Sequence, residues 1–192
     1  MPRAGLSTAA VVDAALAHVD KKGVEALTLA AVAEHTGVAA PSLYKHVRNL
    51  AELRRLLAVR ALEEITGRLA SAVMGRSGDD AVGALMRAWR AYASEHPNRY
   101  SMLPPDPLAD PVLAEPGRRM LEVALAVLRG YGLGGAAAIH ATRSIRAAMH
   151  GFASLEAAGG FGLSEDLDLS YDQLCEMVTA GLRRLAEANS PS

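Results

Sequence analysis

The sequence predicts an all-α chain in two parts: an N-terminal three-helix helix-turn-helix domain over residues 1–48 and a larger helical domain over 49–192. Three observations predict it. Apolar residues recur at three-and-four spacing almost throughout, on a chain rich in Ala, Leu and Arg and poor in alternating β-branched runs. Residues 28–53, TLAAVAEHTGVAAPSLYKHVRNLAEL, spell two short helices about a glycine-centred turn, followed at once by a new helix start. Five prolines, Pro104, Pro105, Pro107, Pro111 and Pro116, forbid a continuous helix between Tyr100 and Pro116 and so divide the rest of the chain.

Each element has its own signals. Ser7 is an N-cap for a first helix that carries Val12, Ala15, Leu16 and Val19 on one face and stops at Gly23. Thr28 caps the second, with Leu29, Val32 and Ala33 as its buried face, and Gly37 ends it in the left-handed conformation. In the third helix Pro41 sits in the first turn, where a missing N–H costs nothing, and Leu43 and Val47, four apart, turn to the core. That spacing leaves Ser42, Tyr44, Lys45 and His46 mostly pointing outward.

A long helix runs from Asn49 to about Gly75 on the stripe Leu53, Leu57, Ala61, Ile65 and Leu69, with Gly67 as a soft point. After a loop over 75–80, a helix containing Leu85, Met86, Trp89 and Tyr92 ends before Pro97. Beyond the prolines come helices over about 117–131, 134–158 and 170–188. Their stripes read Met120-Val123-Val127, Ile139-Thr142-Ile145-Met149-Phe152 and Leu174-Val178-Gly181-Leu182-Leu185. Ala147, Ala148, Gly151, Ala153, Ala180 and Gly181 would let the last two helices approach another helix closely, either another copy's or the monomer's own.

Composition bounds the function. Of 20 Lys/Arg and 21 Asp/Glu, eight and five fall in residues 1–60, leaving 12 and 16 for the remainder, so the basic excess lies around the helix-turn-helix. No charge-free apolar run approaches the ~18 residues a membrane span needs, and MPRAGLSTAA lacks the apolar core of a secretory signal, so the expected compartment is the cytoplasm. The lone Cys175 excludes an intramolecular disulfide; beside Glu176 rather than a base, it reads as a small buried hydrophobe. The acids Glu63, Glu64, Asp79, Asp80, Asp166 and Asp168 lack a nearby histidine in sequence. Without a phosphate loop, a His-x-x-x-His pair or a nucleophile elbow, the chain reads as no enzyme and implies no cofactor or metal.

An outward Tyr, Lys and His on one short helix suits a phosphate-lined major groove; it equally suits a solvated helix face. Sequence detail separates the two. Leu27-Thr28-Leu29-Ala30-Ala31-Val32-Ala33, Gly37-Val38 and Leu43-Tyr44-Lys45-His46-Val47-Arg48-Asn49 closely resemble the N-terminal signature of the TetR family of bacterial transcriptional repressors. The resemblance implies that Thr28 caps its helix and touches a phosphate, and that Tyr44 and His46 contact the DNA backbone. It nominates Ala39, Ala40, Pro41, Ser42 and Lys45 for the groove. Leu50 stands where most relatives carry a phosphate-binding lysine, with Arg48, Arg54 and Arg55 near enough in sequence to replace it. Two alanines at 39 and 40 offer only apolar contacts, so bidentate base recognition would fall to Lys45 or Arg48.

For the second half the resemblance implies a homodimer formed by the last two helices and a cavity for a small-molecule effector. The run Met149-His150-Gly151-Phe152 followed by Gly159-Gly160-Phe161 resembles the WHG-domain subtype of these regulators. Candidate ligand residues are Met86, Trp89, Tyr92, Met102, Met120, Leu121 and Met149 as an apolar lining, with Arg143, Arg146 or His140 as polar contacts. The expected function is a ligand-responsive repressor that binds palindromic double-stranded DNA as a dimer and is released by a largely apolar ligand. Leu50 and the paired alanines keep a second reading open, an all-helical ligand-binding or interaction module that no longer binds DNA.

Overall fold

The structure, a computed structural model, describes residues 6–189, and all regular structure among them is helical. The chain forms two compact units: one is the chain up to Glu63 together with His96–Gly117, the other Glu64–Glu95 together with the chain from Arg118 onward.

In the first unit, helix α1 (Thr8–Lys22) is capped by Ser7, whose Oγ accepts the Ala10 N–H at 3.2 Å, and it ends at Gly23 with φ +82°. A 3-10 turn, Val24–Ala26, leads to α2 (Leu29–Thr36), where Thr28 Oγ1 accepts the Ala31 N–H at 3.1 Å. Gly37, at φ +67°, takes the left-handed conformation that lets the chain leave α2 sharply. Helix α3 is only Ala40–Leu43, shorter than the spacing of Leu43 and Val47 suggests. The chain stays coiled to Val47, with the N–H groups of His46 and Val47 both on the Leu43 carbonyl at 2.8 and 3.0 Å. Helix stops there because the Arg48 N–H, which a continuing helix would direct to the Tyr44 carbonyl, donates instead to the Glu52 carboxylate at 2.6 Å. Asn49 Oδ1 in turn accepts the Glu52 N–H at 2.9 Å and starts α4 (Leu50–Val73).

These elements share one buried cluster, in which Val11, Leu16 and Val19 of α1 meet Leu27, Val32, Leu43, Val47, Leu53 and Leu57. Leu29, expected inside, is half-buried against this cluster, as are Leu50 and Met102. After α5 (Gly78–Glu95) the chain returns to the first unit as α6 (Pro97–Tyr100), which lies on α1. Arg99 grips both oxygens of Asp20 at 2.6 and 2.9 Å, and Asn98 donates to the Asp20 carbonyl. Further along, Arg55 donates to Asp110 at 3.0 Å. A 3-10 turn, Pro107–Ala109, presses so close to Gly117 that a side chain there would stand 3.0 Å from Pro107.

The second unit centres on α5, which contacts both α8 (Gly135–Ala157) and α9 (Leu167–Asn189). Ala81, Val82, Leu85, Met86, Trp89, Tyr92 and Ala93 form its buried face, and the Tyr171 hydroxyl of α9 donates to the Met86 carbonyl at 2.7 Å. Helix α7 (Ala114–Arg129) starts ahead of the expected 117 because Pro116 fits its first turn, where no N–H donor is needed. Its Val127 and the unforeseen Leu128 are buried, while Met120 and Val123 are half-buried. Helix α9 starts at 167 rather than 170, since Asp166 Oδ1 accepts the N–H groups of Asp168 and Leu169 at 2.7 and 3.2 Å. Helix α4 passes unbroken through Gly67.

Leu43 has no solvent exposure and holds a one-turn helix in place, so truncation leaves a cavity that α3 cannot collapse to fill. Chemical denaturation followed by circular dichroism should find Leu43→Ala destabilised by about 2–5 kcal/mol.

Candidate functional site

The two-helix motif begins with a capped end and a left-handed corner. Thr28 is exposed, and because its oxygen is the acceptor in the cap, the hydroxyl hydrogen stays available to an outside acceptor. At the corner, the N–H groups of Gly37 and Val38 return to the carbonyls of Glu34 and Ala33 at 3.2 and 3.1 Å, which closes α2 and aims the chain into α3. Along α3 and the coil after it, Ala39, Ala40, Pro41 and Lys45 are exposed and Tyr44 is 58 % exposed. Ser42 and His46 are half-buried, less outward than their spacing suggests; the His46 carbonyl faces the Thr8 hydroxyl. Of the predicted contacts in this stretch, Tyr44 and Lys45 are the large exposed side chains.

Charge on that surface is unevenly available. Lys45 and Arg54 are exposed and make no ion pair among the described residues. Arg48 is 86 % exposed, yet its guanidinium lies on Glu52, with Nη2 to Oε1 at 3.2 Å and Nε to both oxygens at 3.3 Å. That side-chain contact raises the Arg48 pKa and holds the Glu52 carboxyl below its ordinary range. Arg55 is taken up by Asp110, whose pKa is lowered chiefly by the Val112 N–H and then by Arg55. Leu50, in the place of the family's lysine, packs its side chain on the core instead. A hollow of about 260 Å³ opens between Arg48, Asn49, Glu52, Arg55, Leu56 and Val112. The part played by Asn49 and Glu52 was missed in the sequence, although Asn49 followed three residues later by Glu52 is a capping pattern. Arg3, counted in the basic excess, lies outside the described residues.

Of the ligand candidates, Met86, Trp89, Tyr92 and Met149 are buried in the second unit, Met120, Leu121 and Arg146 are half-buried, and Arg143 and His140 are exposed. Met102 belongs to the first unit, against its core. The Tyr92 ring lies under the Arg68 guanidinium at 5.3 Å, and its hydroxyl donates to Glu64 at 3.4 Å. His150 stands exposed on α8, its pKa drawn down by partial desolvation and then by Arg146.

A separate cleft of about 530 Å³ is lined by Arg87, Arg90, Ser94, Glu156, Asp168 and Asp172. Arg90 grips Glu156 with two hydrogen bonds of 2.6 and 2.7 Å and Asp168 with one of 2.8 Å, and it lies over the rings of Phe152 and Tyr171 at 5.3 and 5.0 Å. Of the acids weighed as catalysts, Asp79 binds Arg183 and the Tyr131 hydroxyl, Asp80 binds Arg76, Asp168 binds Arg90, Glu64 accepts the Tyr92 hydroxyl, and Asp166 caps α9. Burial pushes the Cys175 thiol up, away from reactivity. No group of three or more His, Cys, Asp or Glu suited to a metal occurs among the described residues, and no helix among them is long and apolar enough to cross a membrane.

Residues 11–57 match the family model described as bacterial regulatory proteins, tetR family, and residues 82–178 match that of the tetracyclin repressor-like C-terminal domain. The latter match lends no support to the WHG subtype suggested by the run after Met149. The chain is 37 % identical over 183 residues to an uncharacterized HTH-type transcriptional regulator of Mycobacterium tuberculosis, Rv0681, covering 94 % of this chain and 84 % of the relative. Among solved structures, a protein of unknown function from Rhodococcus sp. RHA1 superposes with a TM-score of 0.82 at 22 % identity, covering 95 % of this chain and 99 % of the other. The Streptomyces coelicolor TetR family protein ActR in complex with actinorhodin does so at 0.73 and 21 %, covering 97 % and 100 %. At such identities the structural likenesses speak to the fold.

Among the described residues Lys45 makes no ion pair that a substitution would lose. Lys45→Ala should weaken binding to the operator more than to random duplex, with an unchanged unfolding midpoint. Tyr44→Ala should weaken binding without unfolding the chain. Fluorescence anisotropy across a salt series measures both.

Proposed function

Because the chain belongs to the TetR family of bacterial regulatory proteins, we propose that it is a ligand-responsive repressor that binds a palindromic operator as a homodimer in the cytoplasm. The observation that carries the reading is the corner at Gly37 followed by a short helix held by Leu43 and Val47, with Tyr44 and Lys45 left exposed. Under this reading Thr28, Tyr44 and His46 take backbone phosphates, Ala39, Ala40, Pro41, Ser42 and Lys45 face the groove, and Arg48 is placed to take a phosphate beside Leu50. Reading DNA falls to residues 1–48, and ligand binding and dimerisation to 49–192.

One motif of this size contacts too little DNA to be selective. Two copies meeting successive major grooves ~34–36 Å apart supply the rest. The α8 and α9 surfaces support pairing: Gly151 and Gly181 have open space where a side chain would stand, Ala147 is exposed, and Met177 is 64 % exposed. The ligand is small and largely apolar, bound among Met86, Trp89, Tyr92, Met120 and Met149 with Arg143 or Arg146 for polar contact; ActR, a relative by fold, is known in complex with actinorhodin. Met102 packs against the core of the first unit and is left out of this lining. The ligand acts by population shift, favouring a form whose two readers no longer match adjacent grooves, to the extent that it binds that form better. The relatives are transcriptional regulators, and no catalytic step is assigned.

A second reading, a helical module without DNA binding, is favoured by two observations: Leu50, where the resemblance expects a lysine, packs on the core, and Arg48 and Arg55 are already paired. Selection of bound fragments from the source genome, followed by a salt series on the recovered duplex, separates the two. Salt-dependent binding to a palindromic fragment supports the regulator; no binding at any salt overturns it.

A Cβ added at Gly181 meets nothing within 4 Å in its own protomer, so a charge there chiefly burdens a contact between copies. Gly181→Glu should leave the helical circular dichroism intact, shift the chain toward monomer in analytical ultracentrifugation, and weaken binding to a palindrome far more than to a half-site.

A further inference from the structure

We infer that Glu52 is a built-in competitor of DNA phosphate for Arg48, so that Arg48 reaches the duplex only by exchanging one anion for another. The inference rests on the DNA-binding reading above. Its first support is the asymmetry of the pair. The Glu52 carboxylate is fixed from two sides, by the Arg48 N–H on Oε2 at 2.6 Å and by its own helical position, where the Asn49 side chain caps its N–H at 2.9 Å. The arginine is the free member, with 86 % of its side chain exposed against 28 % for the glutamate.

Position gives the second support. Arg48 and Asn49 lie directly between the coil that follows α3 and the first turn of α4, on the rim of the hollow that also holds Arg55, and Leu50 beside them carries no charge. A cation in that place meets DNA under the proposed function. It is not idle beforehand, unlike Lys45 and Arg54, which make no ion pair among the described residues.

The third support is magnitude. An exposed pair four residues apart on one chain is weak and screened, so a phosphate set at hydrogen-bonding distance displaces the carboxylate, whereas a distant or badly placed phosphate does not. The backbone grip of Glu52 on the Arg48 N–H is untouched by this exchange, so the coil between α3 and α4 keeps its shape while the guanidinium moves. Glu52 therefore lowers affinity for arbitrary duplex more than for duplex whose phosphates lie in register, and acts as a positioning and specificity residue.

The test is a double-mutant cycle with the full chain: wild type, Glu52→Gln, Arg48→Ala and the double variant, each titrated with a random duplex and with a genome-selected fragment across a salt series. Glutamine keeps an acceptor for the Arg48 N–H, and equal unfolding midpoints confirm that the cap survives. Glu52→Gln should tighten random-duplex binding about five-fold at low salt and steepen the salt slope by about 1. The gain on the selected fragment should be smaller, and both gains should disappear in the Arg48→Ala background. An equal gain with and without Arg48 overturns the inference, because it reduces Glu52 to a general repulsive charge; so does the absence of any gain. Should the cap fail in Glu52→Gln, Arg48→Ala alone decides: loss of affinity for the selected fragment with little change on random duplex supports the exchange, and equal loss on both overturns it. A wild type that binds neither duplex defeats the DNA-binding reading itself.

Discussion

A helix of one turn cannot hold itself in place, and everything proposed for this chain depends on how α3 is held. Nucleating a turn fixes several torsions for a single hydrogen bond, so Ala40–Leu43 would not persist alone in water. Its position is imposed from outside by three constraints of different kinds. Leu43 and Val47 fill a cluster shared with α1, α2 and α4; Gly37 sets the angle of entry; and the Asn49 and Glu52 caps fix the exit. Exposed side chains between those anchors inherit their direction from buried ones. The surface offered to DNA is thus a consequence of packing, which is why a core residue and a surface residue of the same turn have opposite experimental signatures.

The first unit also shows why counting charges overstates what a basic segment can offer. Residues 1–60 hold an excess of cations, but Arg48, Arg55 and Arg60 are engaged by Glu52, Asp110 and Asp13. Two of those acids lie within the segment and one, Asp110, comes from the returning chain. Among the described residues the cations left uncommitted near α3 are Lys45 and Arg54, so the electrostatic footprint they offer is smaller and more local than composition implies. The same returning chain fastens α1 through the two-pronged contact of Arg99 with Asp20, a geometry better defined than most surface ion pairs.

What could be read in the sequence was whatever is written in neighbouring residues. The caps at Ser7 and Thr28, the corner at Gly37 and the stripe from Leu53 to Leu69 all declare themselves within one or two helical turns, and all took the expected form. The end of α3 was misjudged because two signals conflicted there: the four-residue spacing of Leu43 and Val47 argued for continuation, while the side chain of Glu52 took the N–H that continuation needed. Pro116 argued for a later start to α7 unless its tolerance in a first turn was given full weight, and Asp166 began α9 about a turn earlier than the expected residue 170. Met102 illustrates a different limit. Its type suited an apolar ligand lining, but only the return of the chain to the first unit, a contact across most of the N-terminal half, decides what it touches.

The second unit applies the same logic of buried groups setting the direction of exposed ones. Arg90, 15 % exposed, gathers Glu156 near the end of α8 and Asp168 at the start of α9, with Phe152 and Tyr171 against its face. Removing the guanidinium would leave a half-buried carboxylate at Glu156 without its counter-charge, so the arrangement resists sliding of α9 against α8. Tyr171 adds a direction, because its hydroxyl must reach the Met86 carbonyl of α5. Two helices fixed in register at one end present their remaining faces in register as well. Under the proposed dimer, Ala147 and Gly151 of α8 and Met177 and Gly181 of α9 then offer a partner a defined relief. A pair of readers must match a rigid spacing of grooves, and a surface of defined relief on each protomer is what allows two copies to join with one geometry instead of several.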